Sequence, residues 1–295
     1  MRKARRPAAT ALALALALQL GAAVPAVAAD ITATAGYENG NSPLNLTQIA
    51  RYTSGQFNVD GGVMEIVAYN RANSFAYAIN GQSGLLAAIS LENLAAGSFV
   101  ARLSGMDIDV KALVEAADSS FRYGDMTSVA VSPDSATLAA ALQAEGYNDA
   151  GRVALFTCNA DGTLTLKGLV ETGVQPDMVT FADNDTVLTA DEGEPREGYG
   201  DGIADPRGSV TVVDVSALTS EVVGFDAFDG RRDELAASGV VLKKGVNPST
   251  DLEPEYIAVS GGKAYITLQE NNAIAVLNLA SRTFDGIYSA GFEDY

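Results

Sequence analysis

Gln175-Pro176-Asp177-Met178-Val179-Thr180-Phe181, a turn at Asp183-Asn184-Asp185, and Val187-Leu188-Thr189-Ala190-Asp191-Glu192 make a hairpin of two alternating runs with an acid at each mouth. The cadence returns as Glu253-Pro254-Glu255-Tyr256-Ile257-Ala258-Val259, a Gly261-Gly262 turn, and Ala264-Tyr265-Ile266-Thr267-Leu268-Gln269-Glu270. Asp177 precedes Glu192 by 15 positions, and Glu255 precedes Glu270 by 15. Two looser copies share the frame: Glu65 with Asn80, and Thr127 with Gln143, whose Ser132-Pro133-Asp134-Ser135 turn is one residue longer. A unit that recurs with fixed internal spacing marks a repeat architecture, here one with an acidic rim.

Each unit continues into a third alternating run, at residues 84–89, 151–156, 208–213 and 272–277, and fourth runs stand at 163–170 and 283–288. β-branched and aromatic residues alternate with small or polar ones between Asp/Asn/Gly/Pro turns, which is the strand pattern. The expected fold is all-β: a β-propeller of four-stranded antiparallel blades over residues 30–295. Two short helical insertions are expected, at 107–117 and at 232–239, the second closed by Gly239. About four blades are visible, at the low end of the range of about 4–8. The expectation is an incomplete ring, with a small four-bladed ring as the alternative. Residues 44–52 resemble a lone fourth strand of the kind that completes a last blade in closed propellers.

Arg2, Lys3, Arg5 and Arg6 precede an apolar stretch at 8–24 and the small residues Ala26-Val27-Ala28-Ala29, so residues 1–29 are expected to be a secretory signal. No other run is long and apolar enough to span a bilayer. The chain carries 19 basic and 37 acidic residues; without the signal 15 basic face 37 acidic, a net charge of −22. Such a field repels nucleic acid and anionic lipid and favours cations. With no histidine anywhere, Ser-His-Asp and Cys-His catalysis and imidazole metal sites are excluded from these residues. Cys158 is the only cysteine, so no internal disulfide forms; it is expected as a small buried hydrophobe.

A hairpin brings its two ends together, so Asp177 should face Asp191 and Glu192, and Glu255 should face Glu270. Converging carboxylates repel one another unless a cation sits between them, and an all-oxygen set suits Ca²⁺. The candidate cation ligands are Asp177, Asp191, Glu192, Glu194, Glu255 and Glu270. The Gly-rich loop at 191–206 adds carbonyls, although its Asp201-Gly202-Ile203-Ala204-Asp205 segment lacks EF-hand spacing. The competing reading is a solvated acidic rim with Arg196 and Arg207 pairing locally.

The stretches Ala144-Glu145-Gly146-Tyr147-Asn148-Asp149, Gln175-Pro176-Asp177-Met178, Thr189-Ala190-Asp191-Glu192-Gly193-Glu194-Pro195-Arg196 and Asp251-Leu252-Glu253-Pro254-Glu255-Tyr256 resemble the bacterial choice-of-anchor I family. That family is related to the mesenchyme-specific cell-surface glycoproteins of biomineralising animals. The resemblance covers about residues 46–295 and implies an exported propeller of YVTN/WD-like repeats, located in the periplasm, at the cell surface or outside the cell. It implies no catalytic motif that maps onto this chain.

Two functions follow as expectations. The first is a calcium-stabilised propeller that binds an extracellular ligand or surface without chemistry. The alternative, since some relatives carry alkaline-phosphatase or phytase-like labels, is a calcium-dependent phosphomonoesterase. In it the metal would neutralise phosphate and activate water, with Arg196 and Arg207 as the anion contacts.

Overall fold

The computed structural model describes residues 32–35, 44–59, 62–92, 94, 100, 102–196, 198 and 202–292. The expected signal, residues 1–29, lies outside the described residues, as do Glu197 and Asp201. Two compact units divide the chain, one within Met1–Arg51 and Ala96–Ala101, the other within Tyr52–Ala95 and Arg102–Tyr295. In the first, β1 (Thr32–Ala35) pairs antiparallel with β2 (Leu44–Thr47), and Ala50 bridges Val100. Within the run at 44–52, Leu44–Thr47 is thus half of a local hairpin.

The second unit holds four successive blades. They are β3 (Met64–Asn70) to β6 (Gly105–Ile108), β7 (Tyr123–Val131) to β10 (Leu164–Val174), β11 (Pro176–Phe181) to β14 (Thr219–Gly224), and β15 (Pro254–Ser260) to β18 (Thr283–Ser289). Each is a four-stranded antiparallel sheet in which strands pair in sequence order. First strands neighbour first strands, β3 against β7, β7 against β11 and β11 against β15. This makes the arrangement a β-propeller, with first strands innermost.

Apolar layers join consecutive blades. Tyr77, Ile79 and Leu86 of the first meet Met126, Leu138 and Phe156 of the second. Ala139, Val153 and Leu155 then meet Val179, Val187 and Val213. Leu188, Val210 and Val212 meet Ile257, Ile266 and Leu268. The alternation read from sequence thus serves two layers at once, because both faces of an inner blade are covered.

Local chemistry explains the punctuation. Gly261 and Gly262 both have positive φ, 58° and 75°, as a two-residue hairpin loop with the twist of its strands requires. The first insertion starts later than expected: Gly105–Ile108 is strand β6, and the helix is Val110–Ala117, where Asp109 caps Ala112 N. The second helix is Arg232–Ala237, followed by Gly239 at φ 98°. A 3₁₀ turn at Asp226–Arg231 and a short helix at Pro248–Asp251 were not anticipated.

All four first strands carry a register shift near their start. It falls between Met64 and Val67, Met126 and Ser128, Pro176 and Met178, and Pro254 and Ile257. Glu65, Thr127, Asp177 and Glu255, paired by sequence spacing alone, therefore sit in equivalent bulges. A bulge re-aims a side chain out of the ladder.

Candidate functional site

The bulges of the last two blades and the ends of their second strands bring carboxylates together. Asp177 and Glu255 are half-buried, while Glu270 is exposed just past the end of β16 (Lys263–Leu268). Burial raises the Asp177 carboxyl above its usual range, against the pull of Arg196. Glu192 is pushed up to about 7, first by burial and then by the charges of Asp177 and Glu194, with Arg196 opposing. Glu255 is pushed up to about 8, by burial, by a hydrogen bond with the Glu270 carboxyl, and by the charges of Glu270, Glu192 and Asp177. Asp177, Glu192, Glu255 and Glu270 thus share one electrostatic neighbourhood that spans two blades.

Gln175 builds the wall of this neighbourhood. Its backbone holds φ 56° immediately before Pro176, in the left-handed region that costs a non-glycine residue energy. The kink turns a buried side chain into the loop after β12 (Thr186–Asp191), where Nε2 donates to Tyr147 O at 2.9 Å and Glu194 O at 2.8 Å. Its Oε1 accepts from Arg196 Nε at 3.2 Å, and its carbonyl accepts from Glu192 N at 2.9 Å. Arg196 also pairs with Glu192 at 3.7 Å and Glu194 at 3.6 Å and lies over the Tyr147 ring. Sequence reasoning did not single out Gln175; the signal available was a polar residue ahead of proline between two strands.

Asp191 stands elsewhere. It is fully buried and pairs in register with Pro176 and with Ser209 of β13 (Ser209–Asp214). Its carboxylate accepts from Thr189 Oγ1 at 2.7 Å, Ser209 Oγ at 2.8 Å, Thr211 Oγ1 at 2.6 Å and Gly173 N at 3.2 Å. Burial nevertheless pushes it up to about 6, with those hydrogen bonds opposing. Its oxygens are committed to fastening β13 and Gly173, so the structure separates it from Glu192, its neighbour in sequence. Arg207 is likewise apart: it pairs with the exposed Asp226 at an open cleft lined by Val174, Asp205 and Gly208.

A buried ionic group beside the rim went unnoticed in the sequence. Lys243 Nζ lies 2.9 Å from Glu253 Oε1 and 3.3 Å from Asp251 Oδ1, and Lys243 N donates to Asp251 Oδ2 at 2.6 Å. Both acids are buried, and Asn271 joins them by accepting from Glu253 N and donating to Asp251 O. Lys243 is one half of a surface-looking doublet, so nothing in its local sequence marks the pairing. Cys158 is half-buried, and burial raises its thiol.

Chemically, the rim offers carboxylate oxygens, protons held by Glu192 and Glu255, and one arginine already engaged by acids. Among the described residues, no three acidic, histidine or cysteine side chains are grouped closely enough to hold a metal ion as they stand. No helix among the described residues is long and apolar enough to cross a membrane.

The model of the choice-of-anchor I domain matches residues 65–295. No curated protein matches the chain. Similar solved structures include a protein of unknown function from Bacteroides caccae, at 9% identity and TM-score 0.42 over 77% of this chain and 61% of that one. Hydrazine synthase of Kuenenia stuttgartiensis matches at 15% identity and TM-score 0.38, over 73% of this chain and 64% of that one. The Cps50 (Swd1) β-propeller domain of Myceliophteria thermophila matches at 13% identity and TM-score 0.44, over 79% and 57%. The chain spans less than two thirds of the length of each of these three structures.

Proposed function

The chain belongs to the choice-of-anchor I family, and from that premise we propose that it is an exported propeller that binds an extracellular ligand or surface through a calcium-dependent acidic rim. The observation that carries this reading is the convergence of Asp177, Glu192, Glu255 and Glu270 from two adjacent blades, where burial and, after it, the neighbouring carboxylates push Glu255 up to about 8. A divalent cation relieves the repulsion among those carboxylates. Carboxylate oxygens are the donors that Ca²⁺ accepts, with loose geometry and six to eight ligands, so the set fits by chemistry while requiring the side chains to draw together. The basic, apolar and small-residue succession of residues 1–29 supports export.

The phosphomonoesterase reading has less support. It needs free cations beside the metal to hold phosphate, yet Arg196 is engaged by Glu192 and Glu194, and Arg207 by Asp226. Calorimetric titration of the exported protein with Ca²⁺ tests the proposal, with p-nitrophenyl phosphate hydrolysis followed in the same samples. The expected result is calcium binding without turnover, weakened at least about tenfold, or ~1.4 kcal/mol, in Glu255→Gln/Glu270→Gln. Equal affinity in that variant would remove the rim site, and calcium-dependent turnover would restore the enzyme.

A further inference from the structure

First and third strands start at the carboxylate rim, so the turns that follow β11, β15 and β17 (Ala273–Asn278) lie at the opposite end of their blades. Between these turns is a cleft of about 510 Å³, lined by Asp183 and Thr186 of the third blade and by Ser260, Gly261, Gly262 and Arg282 of the fourth. Its volume falls in the range of small-molecule sites, about 300–1,000 Å³. The walls are fastened by the chain itself. Leu279 N donates to Gly262 O at 3.1 Å, Ala182 N to Thr186 O at 2.8 Å, and Asn278 Oδ1 accepts from Ala280 N and Ser281 N.

Arg282 closes the turn between β17 and β18 at φ 57°, a left-handed position that glycine adopts at least cost. The equivalent place holds Gly162 at φ 82° in the second blade and Leu218 at φ 55° in the third. Leu218 uses it to reach back over the preceding blade, where its Cδ1 would stand 2.7 Å from a Cβ on Gly168. Arg282 faces the preceding blade too, but across the cleft. Its Nη1 is shut off from water, and among the described residues it has no hydrogen-bond partner and the guanidinium no ion pair. Asp214 is near enough to feel the Arg282 charge, yet its Oδ1 is taken by Ser216 and Ala217. The Thr186 and Ser260 hydroxyls likewise bond to none of the described residues. A buried donor without an acceptor is unfavourable, and a ligand that supplies the acceptor removes that cost.

We propose that this cleft is a second ligand site, separate from the rim and independent of calcium, which takes a sugar acid with its carboxylate on Arg282. A planar guanidinium pairs with a carboxylate through two parallel N–H···O bonds. One arginine balances one negative charge, and Asp183 in the same cleft, within an acidic chain, repels a dianion such as phosphate. The remaining groups suit hydroxyls. Asp183 Oδ1 accepts from Asp185 N at 2.9 Å and leaves its second oxygen as an acceptor, while Thr186 and Ser260 can each donate and accept. The same chemistry is presented by a free sugar acid and by the end of an acidic polysaccharide.

Calorimetric titration of the calcium-free exported protein with D-glucuronate tests the proposal. Glucose, which keeps the ring without the carboxylate, and inorganic phosphate serve as comparators. Saturable binding of glucuronate is expected, at least about tenfold tighter than that of either comparator. Arg282→Gly suits the left-handed turn, so its unfolding midpoint should be no lower than that of the wild type, while glucuronate affinity falls at least about tenfold. Arg282→Lys keeps the charge and loses the fork, and should fall between the two. A disaccharide ending in glucuronate, titrated alongside, separates the sources: tighter binding of the disaccharide assigns a chain end, and tighter binding of glucuronate a free acid. Absence of glucuronate binding in the wild type overturns the proposal. So does unchanged affinity in Arg282→Gly, glucose binding as tightly as glucuronate, or phosphate binding more tightly.

Discussion

Replacing Asp191 by alanine separates the two roles open to this acid. Three buried hydroxyls, on Thr189, Ser209 and Thr211, lose their acceptor, while Gly173 N keeps Thr211 Oγ1 at 3.0 Å. Hydroxyls can turn, so each orphan is set at the lower end of the range, about 1 kcal/mol. The total is about 3 kcal/mol, before any cost of the small void. Proton linkage adds a signature. The folded carboxyl stands at about 6 against 3.8 when unperturbed, so its contribution is complete below about 3.8 and is lost as pH rises through about 6. Between pH 5 and pH 8 the wild type loses ~1 kcal/mol that Asp191→Ala never had. Urea unfolding at both pH values should therefore show a loss of about 3 kcal/mol at pH 8 and about 4 at pH 5, with calcium affinity unchanged. A loss below about 1 kcal/mol, or one that grows with pH, would refute the fastening role; loss of calcium binding with the fold intact would return Asp191 to the rim.

Gly173→Ala should destabilise by about 2 kcal/mol in the same assay, because a Cβ there would crowd Ser209 Oγ and sit 2.6 Å from Asp191 Oδ2. Lys243→Met leaves Asp251 and Glu253 buried without their cation and should cost about 3–5 kcal/mol, read as a lower unfolding midpoint. Glu192 and Glu255, raised from 4.5 to about 7 and about 8, favour the folded state below about 4.5 and cease to do so as pH rises through those values. Without calcium, thermal stability should fall from pH 5 to pH 9. Glu255→Gln should flatten that slope and stabilise the protein at pH 9 by on the order of 1 kcal/mol, allowing for solvent screening; an unchanged slope would contradict the coupling.

The repeated hairpin was legible because strand alternation and turn chemistry are local, and its frame, 15 residues in three copies and 16 in the Thr127 copy, aligns Glu65, Thr127, Asp177 and Glu255, which share a bulge. The fourth strands were harder. β6 is only four residues long, and β14 is exposed along most of its length, so neither alternates in hydrophobicity. Asp191 and Glu192 are adjacent acids, and only the register with Ser209 turns the first inward. Gln175 and the Lys243 group act across 19 residues or through tertiary burial, distances at which composition carries no signal.

The four bulges have a consequence for how this molecule can change over generations. Second and third strands are sealed on both faces in the inner blades, so substitutions there are constrained by two neighbours at once. A bulge residue is exempt: it belongs to no pair in the ladder, and exchanging it leaves register and both apolar layers untouched. Thr127 illustrates the freedom: it donates to Pro176 O at 2.7 Å and ties two blades together, where Asp177 and Glu255 present carboxyl groups. The propeller thus carries one interchangeable position per blade, where the side chain can be exchanged without disturbing the ladder or the layers that hold the blades together.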